Sequence, residues 1–96
     1  MSKKVSKEFQ IPGTDRGYQV QLNNHVEGVI MTLSGFRYEG NFQTHVLHED
    51  LYRWEKVGPR KGRVTEKVLR EWEDSLDTLG KKYLPEVCAF YNLPIP

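Results

Sequence analysis

Only one cysteine, Cys88, occurs in the 96 residues, so an internal disulfide framework is excluded and the chain suits a reducing compartment. No apolar run approaches the roughly 18 residues that a bilayer span requires. The basic start, with Lys3, Lys4 and Lys7, leads into no apolar segment of the secretory kind. The expectation is a cytoplasmic protein with no membrane partner. A surplus of one charge is missing as well: 14 Lys plus Arg stand against 13 Asp plus Glu, a formal net charge of +1. A surface given over wholly to phosphate backbones is thereby excluded.

What is present suits one small folded domain. Apolar residues make up 38% and charged residues 28%, with 8 glycines and 5 prolines, a balance neither disordered nor collagenous. Up to about Gly17 the chain is Lys-rich and carries the turn pair Pro12-Gly13, so residues 1–17 are expected to form a flexible basic arm. Phe9 and Ile11, two apart, can pin a short edge segment that Pro12 ends. Residues 18–96 then form a single α+β domain.

Tyr18, Val20 and Leu22 alternate with Gln19 and Gln21, the period of a strand with one wet face. Asn23-Asn24 predicts a tight turn. A return strand over about Val26–Ser34 places Val29, Met31 and Leu33 on one face and Ile30 and Thr32 on the other, with Gly28 marking a bulge. Phe36 and Tyr38, a turn at Gly40-Asn41, and then Phe42, Thr44 and Val46 continue the alternation. The sum is a small antiparallel β-meander over about residues 18–47, followed by two or three helices packed on one face of the sheet. The spacing of Leu47, Leu51 and Trp54 predicts a helix up to Gly58-Pro59, with a strand through Leu51, Arg53, Glu55 and Val57 as the alternative. A second helix runs over about Glu66–Leu79, capped by Thr65 and stopped at Gly80, and a third starts at Pro85 and closes at Asn92 and Pro94.

Neither catalysis nor a metal or cofactor is indicated by spacing. His45 and His48 with Glu49 and Asp50 carry metal-ligand chemistry, yet on a strand end the two imidazoles diverge and read as surface histidines. Cys88 between Val87 and Ala89 reads as a core thiol, and Leu33-Ser34-Gly35 lacks the preceding glycine of a nucleophile elbow. Charge is unevenly distributed. Arg53–Arg63 holds five cations against Glu55, a net +4, whereas Glu66–Asp77 holds two cations against five anions, a net −3.

Two binding surfaces follow. Eleven aromatic residues, two Trp, five Tyr and four Phe, exceed what so small a core encloses, and exposed Tyr, Phe and Arg concentrate binding energy. The hairpin carrying Phe36, Arg37, Tyr38 and Phe42, with Tyr52, is therefore the expected protein-protein interface of a small non-enzymatic regulator or inhibitor. The alternative is a nucleic-acid or phosphate-binding module, in which Arg53, Lys56, Arg60, Lys61 and Arg63 precede the helix N-cap Thr65 and offer cations beside aromatic planes. The glycine spacing of this loop is not that of a Walker motif.

Overall fold

A computed structural model of the chain describes residues 4–39 and 44–95, with the side chains of residues 38–39 and 44–52 outside that description. Period-2 alternation builds most of the sheet. Strands β1 (Lys4–Gln10), β2 (Arg16–His25), β3 (Gly28–Glu39) and β4 (Thr44–Gly58) pair antiparallel in chain order, and a single helix, α1 (Glu66–Tyr91), lies across one face. The expected α+β class holds, with one helix in place of two or three.

On the helix side, Tyr18, Val20 and Leu22 of β2 and Val29, Met31 and Leu33 of β3 are buried, as their alternation predicts. They pack with Trp72, Leu76, Tyr83 and Val87, which with Gly80 recur every three or four residues along α1, and with the adjoining Cys88. Cys88 is indeed a buried, free thiol.

Several expectations are corrected by contacts that sequence spacing does not reveal. Asn23-Asn24 does not turn: β2 runs on to His25, and the reversal falls at Val26-Glu27 before Gly28, whose φ is +145°. Lys4–Gln10, expected as a loose arm, is a strand in full register with β2, from Lys4 opposite Asn23 to Gln10 opposite Gly17. Residues 48–57 are strand. Trp54 lies opposite Thr32 and Glu55 opposite Met31, with irregularities at Val57 and at residues 49–51 where β4 carries extra residues. The helical spacing of Leu47, Leu51 and Trp54 yields to backbone pairing with β3, because the helix-facing positions of β4 carry Arg53 and Glu55 and so hide the alternation.

The two helices expected on either side of Gly80 are one. Thr65 caps the start, its Oγ1 accepting from the Val68 N–H at 3.3 Å. The helix then passes through Gly80, because a side chain there would stand where the Phe9 ring sits: a Cβ would lie 2.5 Å from Phe9 Cζ. Tyr18 donates its hydroxyl proton to the Gly80 carbonyl at 2.8 Å and stacks on Phe9 with centroids 5.2 Å apart. Glycine at this position admits β1 and β2 and does not end the helix. Pro85 also lies inside α1, on its exposed side, where water can satisfy the Lys81 carbonyl that proline leaves without a donor. The true end is Asn92, in the left-handed conformation at φ 59°, with the Leu93 N–H donating to the Cys88 carbonyl at 2.8 Å in a Schellman arrangement. No described helix is long and apolar enough to cross a membrane.

Candidate nucleic-acid interface

Residues directly opposite in an antiparallel pair share a face, so the register arranges the side of the sheet turned away from α1 in cross-strand rows. One row is Ser6, Gln21, Thr32 and Trp54; the next is Lys4, Asn23, Ile30 and Lys56. Among the described residues this face carries Ile30, Trp54 and, toward its other end, the buried Phe36 as its large apolar side chains, and its amides and hydroxyls are the wet positions of the alternation in β2 and β3. Trp54 is 54% exposed, a large ring left in solvent four residues before the end of β4 at Gly58. Between it and the β2–β3 reversal lies a hollow of about 470 Å³, lined by Gln21, Asn23, His25, Glu27, Ile30 and Trp54 among others. The volume is within the range of about 300–1,000 Å³ found for small-ligand sites. Asn23 Oδ1 is buried and receives no hydrogen bond.

Cations gather at the same end. Lys56 lies in the row of Asn23, and its stem runs beside Gly28, where a Cβ would come within 2.6 Å of Lys56 Cε. The segment after β4 is tied down by Asn24, which donates from Nδ2 to the Lys61 carbonyl and accepts the Lys61 N–H at Oδ1, each at 3.0 Å. Two hydrogen bonds from one amide fix the loop backbone and leave the Arg60, Lys61 and Arg63 side chains exposed. Lys56 thus stands one row from the exposed indole on the outer face, whereas the loop cations follow the end of β4, with Lys61 lining a second hollow beside Leu22, Val29 and Trp72 on the α1 side.

Two members of the expected phosphate set are employed elsewhere. Arg53 faces α1, where its guanidinium bonds the Glu86 carboxylate, lies 3.7 Å from Glu55 and covers the Tyr83 ring at 5.6 Å. The hydrogen bond and charge of Glu86 push its pKa above the ordinary arginine value. Tyr83 in turn donates to Glu55 at 2.9 Å, and burial, then that bond, raises its phenol pKa. Thr65 spends its hydroxyl oxygen on the helix cap, and Glu66 in the first turn places a carboxylate at the positive end of α1. An anion at this helix terminus would compete with both of these groups.

Of the expected protein interface, the described side chains are those of Phe36 and Arg37. Phe36 is 0% exposed: its ring lies where a Cβ on Gly17 would be, 2.7 Å from Phe36 Cζ, and seals against the strand opposite. The hairpin expected to end at Gly40-Asn41 suggested an exposed ring, but Gly17 on the neighbouring strand opens a notch that takes it in. Arg37 is half-buried. The side chains of Tyr38 and Tyr52, and Phe42 entirely, lie outside the described residues, as do the imidazoles of His45 and His48. Among the described residues no three His, Cys, Asp or Glu side chains converge on a common point for a metal.

No family model, curated protein or solved structure matches this chain. Sequence reasoning found the cations, the aromatic planes near them and the wet positions Gln19, Gln21 and Thr32, but set Trp54 on a helix stripe and so missed that it shares the face of Gln21 and Thr32, which depends on β4 being a strand in register with β3.

Proposed function

We propose that this protein binds single-stranded nucleic acid and carries out no chemistry of its own. Bases lie on the sheet face turned away from α1, and phosphates follow Lys56 and the 60–63 loop. The observation that carries this reading is the exposed Trp54 ring, standing in one cross-strand row with Gln21 and Thr32, with Lys56 in the next row and Arg60, Lys61 and Arg63 exposed in the loop that follows β4. Aromatic faces stack on any unpaired base, amides and hydroxyls meet base edges, and cations replace the counterions of the backbone. A duplex keeps its bases stacked inside and offers the indole no such partner.

A protein partner, the other surface considered, loses its central residue with the burial of Phe36. The two readings separate in one measurement. Fluorescence anisotropy of a labelled single strand at low salt should show saturable binding, and Trp54→Ala should weaken it by about 5- to 150-fold, the equivalent of the about 1–3 kcal/mol that one stacked base contributes. Wild-type protein that leaves the oligonucleotide free at about 50 mM salt, or a Trp54→Ala variant that binds as tightly as wild type, would overturn the reading.

A further inference from the structure

The hollow beside Trp54 has one feature that a general backbone-tracking surface does not need. Its wall includes the carboxylate Glu27, exposed and in no ion pair or side-chain hydrogen bond among the described residues, although Lys56, Arg60 and Lys61 are at the same end of the sheet. A free anion there opposes phosphate binding, so its chemistry suits a different part of the ligand. The β2–β3 reversal that presents it is held in place: the Glu27 N–H donates to His25 Nδ1 at 3.4 Å, which leaves the proton of a neutral His25 on Nε2.

Resting on the nucleic-acid reading, we propose that this hollow is a base-selective subsite whose preferred occupant is guanine. Trp54 supplies the stacking wall and Ile30 the apolar floor, while Glu27 accepts from the base edge. A carboxylate offers only acceptors. Guanine alone among the common bases presents two adjacent donors, N1–H and the N2 amino group, which match the two carboxylate oxygens as a bidentate pair. Cytosine and adenine put a single amino donor beside a ring acceptor. Thymine and uracil flank their one N–H with two carbonyl oxygens, both repelled by the carboxylate. Gln21, Thr32 and the His25 Nε2–H remain to meet the guanine O6 and N7 acceptors.

The test uses the full chain and a thymidine oligonucleotide of about twelve nucleotides, compared with the same strand carrying one central guanine or one central hypoxanthine, which lacks the N2 amino group. Wild type should bind the guanine strand about tenfold more tightly than the all-thymidine strand, in line with the about 1–3 kcal/mol that one bidentate pair discriminates, and hypoxanthine should fall between them. Glu27→Gln, at an exposed turn, should lose the guanine preference, the ratio of guanine-strand to all-thymidine affinity falling from about tenfold to about one. Equal affinity of wild type for all three strands, or a preference that survives Glu27→Gln, overturns the subsite and leaves the binding function standing. Absence of binding to every strand overturns both.

Discussion

Replacing Gly80 by alanine sets two effects of known size against each other. In the interior of a helix alanine is favoured over glycine by about 0.8–1.0 kcal/mol, so on α1 alone the substitution should stabilise. The new Cβ, however, would stand 2.5 Å from Phe9 Cζ and 2.8 Å from Cε1 and Cε2, where carbon atoms normally pack at about 3.5–4.0 Å. The ring must retreat by about 1 Å, which opens its stack on Tyr18 and strains the β1 edge; forced overpacking of this kind costs about 1–3 kcal/mol. The balance is a net loss of about 1 kcal/mol, a fall in Tm of about 4–8 °C for a domain this size. The decisive assay is urea unfolding of a double-mutant cycle. In a Phe9→Ala background the obstruction is gone, and Gly80→Ala should then stabilise by close to the full about 0.8–1.0 kcal/mol of helix propensity. A Gly80→Ala effect of the same sign and size in both backgrounds would refute the claim that glycine is there to admit the ring.

Three other outcomes follow from the same geometry. Thr65→Ala removes the oxygen that accepts the Val68 N–H and should destabilise by about 1 kcal/mol, read as a lower urea midpoint at unchanged slope. Burial, then the nearby Cys88, raises the Tyr18 pKa above the ordinary 10.0, so the stability this phenol contributes is fully present below pH 10 and is lost as pH climbs through the folded value. Tyr18→Phe should lower stability at neutral pH by about 1 kcal/mol through the lost bond to the Gly80 carbonyl, and make the alkaline decline measured by circular dichroism shallower. If Lys56, Arg60, Lys61 and Arg63 each meet one phosphate, the logarithm of the single-strand binding constant should fall with log salt at a slope of about −2.8, and Arg60→Ala with Lys61→Ala should halve that slope to about −1.4. An unchanged slope removes the loop from the interface.

The parts of the fold legible in the sequence are those fixed by neighbours close in the chain. The faces of β2 and β3 follow from the alternation of Val20 and Leu22 with Gln19 and Gln21, and the start of α1 from Thr65. What escaped depends on distant partners. Gly80 and Pro85 carry the local marks of a helix end, and only Phe9 and Tyr18, brought over from β1 and β2, show that the helix continues. Arg53 and Glu55 look like solvent positions until Glu86 and Tyr83 of α1 are placed above them, and this masked β4 as a strand. Phe36 was misplaced because the notch at Gly17 lies on another strand. The cations and an aromatic plane near them in the chain were legible in the sequence, whereas the sheet face that Trp54 occupies required the β3–β4 register.

The core is closed by a segment encoded after all four strands. Until Trp72, Leu76, Tyr83 and Val87 have been synthesised, Val20, Leu22, Met31 and Leu33 have nothing to pack against, and a nascent meander with both outer strands unpaired resembles an aggregation template. Translation at about 5–20 residues per second keeps that surface naked for on the order of 1–5 s while α1 is made. Elongation speed through codons 66–91 and access to a holdase at that moment therefore govern the yield of native protein, independently of how stable the finished molecule is.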